Sequence, residues 1–333
     1  MNTQLYPLKF EPIYQYRLWG GRRLEHWLSK PLPPDDPIGE AWLLSDREDM
    51  ANKVTDGAFK DATIKDLMKN YKYEILGMHG NDFEVFPLLL KFLDCNEVLS
   101  VQVHPSDDQK EYLPPGESGK TEAWVVLEAD ADGKIYAGLK PGTTKENLKQ
   151  SIDDNSVAER LHSFTPQKDD AVYIQSGTVH TLNGAVVFEV QENSDVTYRL
   201  YDWDRTDAKT GKPRELQVDK ALACIDFDQV DVGPVTPTKS ERVEHSESVF
   251  DNEHFMLWRI ETDVAMKVGF NDEPVILVCL EGNGSLKFKD EDYDLGKGEV
   301  MLLPAIIGQL DLYPEDKMTV LQIAIPNKNK NNK

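Results

Sequence analysis

The chain has 333 residues, of which 40% are hydrophobic and 29% are charged, a composition typical of a globular protein large enough for two cores. Its formal net charge of −22 opposes binding to nucleic acid and to anionic membranes, so we expect neither as a partner. The first ten residues lack a signal-peptide core, no apolar run is long enough to span a bilayer, and three scattered cysteines predict a reduced, cytoplasmic protein.

Eight apolar runs bounded by turn residues predict β-strands. They cover residues 85–93, 97–103, 122–128, 171–174, 185–191, 275–280, 285–289 and 300–303. Helical patterns are fewer: one over 63–72, with Thr63 as its N-cap, and one over 145–161. The sequence therefore predicts a mostly β protein with a few helices.

A charged stretch over 230–245 contains two prolines and little periodicity, and we interpret it as a linker between domains. The chain is accordingly divided into a metal-binding domain at 1–235, a C-terminal β domain at 246–326 and a disordered tail at 327–333.

Two segments of the chain resemble each other and indicate a duplicated β unit. Residues 169–176 and 298–305 each have an acidic residue, four mostly apolar residues and then a turn. Continued without gaps, this alignment places His180 opposite Gln309, and residues 270–326 contain no histidine. If the fold is duplicated, we expect a metal site in the first copy and none in the second.

Four polar side chains form a candidate metal site. Gln102 and His104 are two residues apart in a valine-rich run, so both project from one face of a strand. Glu122 begins another apolar run, and His180 follows a glycine turn. Nitrogen and oxygen ligands of these kinds suit zinc. Spacing alone leaves a second interpretation open, in which the four are unrelated surface or hydrogen-bonded side chains, as we interpret the other five histidines.

Several motifs in the same order resemble those of the type I phosphomannose isomerases. They lie at 18–21, 38–42, 86–94, 99–107, 119–124, 176–180 and 192–205. The resemblance covers nearly the whole chain and is greatest to the short bacterial form of the family. One departure is Gln175, which replaces the proline usual in this turn and changes its rigidity without altering a ligand residue.

The resemblance implies a mostly β fold of two cupin-like jelly-roll domains, with a few helices inserted around the N-terminal catalytic one. It implies a zinc-dependent aldose–ketose isomerase that interconverts mannose 6-phosphate and fructose 6-phosphate through an enediol. One zinc ion per chain would be bound by Gln102, His104, Glu122 and His180. We expect a monomer or small homo-oligomer whose partner is a small sugar phosphate.

Such a substrate needs groups that bind its phosphate. Lys120 would share a strand face with Glu122, and Ser100 would share one with Gln102, so both are candidates for binding the substrate. The resemblance makes Arg199 an active-site arginine. Its neighbours alone instead favour an ion pair with one of the aspartates that flank it.

Lys91 interrupts an apolar run and is the second catalytic candidate. An ammonium among apolar side chains has a lowered pKa suited to proton transfer, or else it extends to water. The general base stays open among His104, Lys91 and a zinc-bound water.

Two other classes of protein fit part of the pattern. An iron-dependent cupin oxygenase would use two histidines and one carboxylate as ligands, but Gln102 and the nearby Lys120 and Arg199 argue against it. A sugar-binding cupin without turnover is opposed by the complete ligand set.

Overall fold

The computed structural model describes residues 4–327, so the predicted disordered tail lies outside the described residues except for Asn327. Within this range the chain forms twenty strands and four α-helices. The strands are β1 Leu8–Lys9, β2 Ile13–Gly21, β3 Ile38–Leu44, β4 Leu88–Cys95, β5 Val101–Val103, β6 Glu122–Leu139, β7 Leu161–Phe164, β8 Ala171–Ile174, β9 His180–Glu192, β10 Tyr198–Tyr201, β11 Thr238–Lys239, β12 Ser246–Asp251, β13 Met256–Thr262, β14 Met266–Val268, β15 Val275–Glu281, β16 Asn283–Phe288, β17 Glu291–Gly296, β18 Val300–Leu303, β19 Leu310–Pro314 and β20 Met318–Ala324. The helices are α1 Leu24–Leu28, α2 Ile64–Leu76, α3 Lys145–Asp153 and α4 Val218–Cys224. No helix between residues 4 and 327 is long and apolar enough to cross a membrane.

The strands form three sheets, all built from antiparallel pairs. A nine-stranded sheet has the order β10-β5-β9-β4-β3-β2, and the long strand β6 joins β9 and also pairs with β7 and β8. A seven-stranded sheet, β1-β18-β15-β20-β13-β12-β11, packs with a four-stranded sheet, β14-β19-β16-β17, around an apolar core. The first sheet curls around the candidate site, and the other two form the C-terminal unit.

One apolar core joins the two halves of the chain. Leu90 and Phe92 of β4 pack in the same buried cluster as Ile276 of β15 and Ile323 of β20. Alternate residues of a strand face opposite sides of the sheet, so Lys91, between Leu90 and Phe92, projects toward the candidate site instead. The two halves also share strand pairing, because β1 pairs with β18 in the C-terminal sheet.

The strand predictions agree best with the structure where apolar runs are short and bounded by turns. The predicted strands 171–174 and 300–303 have the observed bounds of β8 and β18. The strand predicted over 97–103 is observed only over Val101–Val103, since only these residues pair with neighbouring strands. The segment 230–245 contains only the two-residue strand β11 and isolated bridges at Val230 and Pro234.

The first predicted helix is observed as α2, and Thr63 caps it. Its hydroxyl accepts a hydrogen bond from the Asp66 N–H, and the Asp66 carboxylate accepts one from the Thr63 N–H. The second predicted helical region, over 145–161, is interrupted rather than continuous, since a short 3₁₀ helix at Val157–Arg160 is separate from α3. Helix α3 ends at Asp153, Asn155 adopts a left-handed φ of 55°, and β7 begins at Leu161.

Twelve of the twenty strands between residues 4 and 327 have no predicted run, β2 and β3 among them, and the composition of β2 explains why it was missed. Its sequence IYQYRLWGG mixes polar and aromatic residues, since Tyr16, Arg17 and Trp19 line a polar cavity. A strand that lines a polar site does not alternate between apolar and polar residues in the way that predicts a strand.

Gly177 shapes the turn that delivers His180. Its φ is +87°, and a Cβ at this position would lie 3.0 Å from the Asp226 Cβ. Gly177→Ala should therefore lower the free energy of unfolding by about 1–2 kcal/mol through its backbone conformation, and further through this contact. Gly116→Ala is the matched control, because Gly116 has a φ of +84° with nothing within 4 Å of the added Cβ. Thermal unfolding that shows equal losses for the two variants would contradict the steric contribution.

Candidate metal centre

Three neighbouring strands bring the predicted metal ligands together. Gln102 in β5 lies directly opposite His180, the first residue of β9. Glu122 begins β6 and lies opposite Gln191, near the other end of β9. His104 follows β5, and its carbonyl accepts a 2.8 Å hydrogen bond from the Gly177 N–H, which ties it to the turn before His180.

Two imidazoles and one carboxylate converge at this point. His104 Nε2 lies 3.4 Å from Glu122 Oε2, and His180 Nε2 lies 3.3 Å from Glu122 Oε1. All three side chains are buried, and one ligand atom from each lies within 4.8 Å of the others. In residues 4–327 this is the one group of histidine, cysteine and carboxylate side chains with such spacing. The interpretation of these residues as unrelated surface groups is therefore wrong.

Each imidazole is oriented by a backbone carbonyl. His104 Nδ1 lies 2.8 Å from the Val196 carbonyl oxygen, and His180 Nδ1 lies 2.8 Å from the Thr178 carbonyl oxygen. Since a carbonyl only accepts hydrogen bonds, Nδ1 carries the proton in both rings. The lone pair is then on Nε2, which faces Glu122, as in histidines that bind metals.

The electrostatics of the cluster favour neutral imidazoles beside an ionised carboxylate. Burial, with the Lys120 ammonium as a second cause, lowers the pKa of His104 to about 3, and burial also lowers the pKa of His180. Burial alone would raise the pKa of Glu122, but Lys120 and the imidazoles hold it well below its ordinary value. These are the protonation states that metal ligation requires.

The residues present fit a bound metal ion. Lys120 Nζ lies 2.7 Å from Glu122 Oε2 as an ion pair. Nevertheless, no group in the described part of the chain donates a hydrogen bond of good geometry to either Glu122 oxygen. Gln102 Nε2 lies 3.2 Å from His180 Nε2. Rotating this amide by 180° would exchange its nitrogen and oxygen and place the oxygen beside the imidazole. Two nitrogens and two oxygens suit a divalent metal of zinc-like preference.

A cavity of about 430 Å³ opens next to the centre, and Gln102 lines it. Its wall is rich in cationic side chains, namely Arg17, Lys91, Lys120, Arg199 and Arg214. The aromatic side chains of Tyr16, Trp19 and Trp124 also line it. The volume suits a small polar molecule rather than a polymer.

Several of these cations are paired with buried carboxylates. Lys91 Nζ lies 3.1 Å from Glu189 Oε1 and donates to Gln191 Oε1 at 2.6 Å. Lys91 is only 3% exposed, so the expectation that it extends to water is wrong. Arg17 forms a paired contact with Glu40, at 2.7 and 3.1 Å. Arg17 and Lys91 hold the pKa of Glu40 at about 2, although burial alone would raise it.

Arg199 differs from the other cations of the cavity. Its Nε donates to Ser100 Oγ at 3.1 Å and its Nη1 donates to the Glu215 carbonyl at 3.0 Å. Within residues 4–327 it forms no ion pair with a carboxylate, so the ion-pair interpretation is wrong. Asp202 is instead bound by Arg205 and by Arg214. Burial, followed by the nearby Arg214, lowers the pKa of Arg199. A guanidinium surrounded by other guanidiniums is suited to receive an anion.

The sequence analysis missed several groups of the cavity: Arg17, Glu40, Glu189 and Arg214. Glu189 has a recognisable signal, because it is the only charged residue in the apolar run 185–190 of β9. Burial, together with Glu122, raises the pKa of Glu189. The other three lie far apart in the chain, and no local pattern connects them.

Fold and centre together define a cupin-type β protein with a candidate metal site. The family model described as phosphomannose isomerase type I, catalytic domain, matches residues 7–139, and the model for the mannose-6-phosphate isomerase cupin domain matches residues 248–321. The chain is 33% identical to mannose-6-phosphate isomerase ManA of Bacillus subtilis, over 94% of this chain and 96% of that protein. It is 32% identical to the mannose-6-phosphate isomerase of Streptococcus mutans, over 90% and 93% of the two chains. The chain belongs to the mannose-6-phosphate isomerase family.

Solved structures agree with this assignment. The crystal structure of mannose 6-phosphate isomerase from Bacillus subtilis superposes with a TM-score of 0.87 at 29% identity, covering 96% of this chain and all of that one. A mutant of phosphomannose isomerase from Salmonella typhimurium has the same fold, with a TM-score of 0.79 at 16% identity. The predicted family resemblance and the predicted cupin-like fold are confirmed.

Replacing His104 by alanine should weaken binding of a divalent metal by at least about 100-fold. Loss of a residue that only hydrogen-bonds to a ligand lowers metal affinity by about 10- to 100-fold, and loss of the ligand itself lowers it further. Metal content after dialysis, measured by elemental analysis, tests this. His162→Ala is the matched control, because this imidazole pairs with Asp231 and is not part of the cluster. Full metal content in the His104→Ala variant would contradict the assignment of His104 as a ligand.

Proposed function

We propose that the protein is a zinc-dependent aldose–ketose isomerase that interconverts D-mannose 6-phosphate and D-fructose 6-phosphate through an enediol intermediate. The observation that carries the proposal is one cavity that places Arg199, an arginine without a carboxylate partner among the described residues, beside the His104–Glu122–His180 cluster. Such a cavity offers one end for a phosphate and one end for the oxygens of a sugar. The names of the relatives support the same substrate and reaction.

In this proposal Gln102, His104, Glu122 and His180 hold one zinc ion per chain. When bound, zinc would supply Lewis-acid stabilisation of negative charge on the substrate oxygens without redox chemistry of its own. The carbonyl-bonded Nδ1 atoms keep both imidazoles oriented for this task.

Arg199 and Ser100 bind the phosphate in this proposal, with Arg214 as a third member. Asp202 is the single carboxylate shared by Arg205 and Arg214, so this cluster of guanidiniums has more positive than negative charge. A phosphate dianion complements that excess, and arginine binds it through paired N–H groups. Because the protein as a whole is acidic, local charge of this kind is needed to retain the substrate.

The substrate's proton must leave C2 of the open-chain aldose and arrive at C1, while another proton moves between the two oxygens. We assign proton handling to Lys91 with Glu189, which form a buried pair 3.1 Å apart on the cavity wall. The raised pKa of Glu189 makes its carboxylate a better proton acceptor than an exposed one. Lys120, between Glu122 and the cavity, would bind the sugar oxygens.

We also propose that catalysis is confined to residues 1–235 and that the cupin-like unit at 246–326 supports them. The metal cluster and the cations that line the cavity all belong to the first segment.

Formation of fructose 6-phosphate from mannose 6-phosphate in a coupled assay tests the proposed function. Turnover should disappear on chelation and return when zinc is added back. Formation of fructose from unphosphorylated mannose, measured directly, is the control, and it should be far slower. A folded, zinc-loaded protein that binds the sugar phosphate without product would indicate a binding protein, and oxygen uptake with iron would indicate an oxygenase.

Arg199→Ala should lower kcat/KM by about 100- to 1000-fold, as expected for loss of a charge-assisted contact to the substrate, and should leave bound zinc unchanged. The assay and elemental analysis are done on the same sample. Arg160→Ala removes an exposed arginine outside the cavity and should keep full activity. Loss of zinc from the Arg199→Ala variant would show a structural role instead.

A further inference from the structure

The backbone of residues 119–121, here called the clamped segment, leads directly into the metal centre. Lys120 lies within it and Glu122 follows it, and their side chains form the 2.7 Å ion pair. The Lys120 N–H donates to the carbonyl of Pro105, the residue after His104, at 3.1 Å. A shift of this backbone would therefore move both charged groups relative to the imidazoles.

Two carboxylates hold the ends of the clamped segment. Asp107 Oδ1 accepts a hydrogen bond from the Gly119 N–H at 2.7 Å, and Glu192 Oε2 accepts one from the Thr121 N–H at 2.7 Å. The Glu192 N–H also donates to the Thr121 carbonyl at 3.1 Å. Hydrogen bonds from backbone N–H groups to ionised carboxylates are stronger than neutral ones, so these contacts fix the segment firmly.

A histidine from the C-terminal unit contacts one of these carboxylates and lies near the other. His254 lies in the turn between β12 and β13, and its Nδ1 is 3.1 Å from Glu192 Oε1. Its side chain is 20% exposed, and it lines a cavity of about 390 Å³ together with Asp107 and Glu192. The turn is ordered by Asn252, whose Oδ1 accepts hydrogen bonds from the N–H groups of His254 and Phe255.

The surroundings of His254 favour its protonated form. Burial alone would lower its pKa, but Glu192, Glu253 and Asp107 together raise it. Glu253 Oε1 lies 3.7 Å from Nε2 and is largely exposed, whereas Glu192 is mostly buried. His254 therefore compensates negative charge on the carboxylates that hold the clamped segment.

We propose that His254 is a positioning residue, through which the C-terminal unit holds Lys120 and Glu122 in place beside the imidazoles. It touches no reacting atom and acts through Glu192, one oxygen of which faces His254 while the other holds the Thr121 N–H. The catalytic part of this inference rests on the proposed isomerase function.

Kinetics of the zinc-loaded full chain provide the first test. His254→Leu should lower kcat for mannose 6-phosphate about tenfold with KM changed less than about twofold, because the phosphate-binding Arg199 lies on β10 and Ser100 directly before β5, outside the clamped segment. His254→Asn keeps a donor near the Nδ1 position and should recover most of kcat. Glu253→Gln is the matched control, since it removes an exposed charge from the same turn and leaves the contact between His254 Nδ1 and Glu192 in place. Unchanged kcat for His254→Leu, or an equal loss for Glu253→Gln, would overturn the proposal.

A double variant tests the route of the effect. If His254 acts through Glu192, His254→Leu should add little to the loss caused by Glu192→Gln, because the two changes break one connection. Losses that multiply in the double variant would overturn this route. Should leucine at position 254 prevent folding, His254→Gln, which has no donor at the Nδ1 position, takes its place in both experiments.

Amide hydrogen exchange gives a readout that does not depend on activity. Exchange at the Thr121 N–H should be about tenfold faster in His254→Leu than in the wild type, and unchanged in Glu253→Gln. If the wild-type protein lacks isomerase activity, the proposed function fails, while this comparison still decides the role of His254. Unchanged exchange in His254→Leu would overturn the proposal.

Discussion

The burial of one carboxylate, that of Glu122, is the constraint on which the site depends. A carboxylate without solvent is strongly destabilising unless cations or donors compensate it. The Lys120 ammonium at 2.7 Å supplies one such charge, and two neutral imidazoles direct their Nε2 atoms at the same carboxylate. Because carbonyl oxygens orient both rings, the lone pairs converge where a metal cation would complete the compensation.

The rest of the cavity is organised by the pairing of charge. Glu189 neutralises Lys91 and Glu40 neutralises Arg17, so positive and negative charges are balanced at the reacting end of the cavity. Arg199 has other guanidiniums near it and hydrogen bonds only to neutral groups within the described range. This difference separates an end suited to sugar oxygens from an end suited to a dianion. The proposed reaction needs both ends at a fixed separation, which a curled sheet provides.

The C-terminal unit is more than a neighbour of the catalytic one. The two share an apolar core between β4 and the strands β15 and β20, and β1 extends the C-terminal sheet. The contact from His254 to Glu192 continues this coupling to the backbone that carries Lys120. A unit that contributes no residue to the metal cluster can thus still determine its geometry.

Local pattern was enough to predict the helix cap at Thr63 and the strands β8 and β18, and to single out the four clustered residues as candidates, since each depends on spacing along the chain. The resemblance of ordered motifs was enough to predict the family. Local pattern could not predict the end of α3, which depends on the left-handed Asn155, or the polar strand β2. Nor could it connect Arg17 with Glu40, Arg199 with Ser100, or His254 with Glu192. The two residues of each contact are separated in the sequence by 23, 99 and 62 positions, respectively. The sequence by itself determined which chemical groups are available. Only the tertiary structure decided which charges are neutralised and which remain for a ligand, because pairing depends on distance in space.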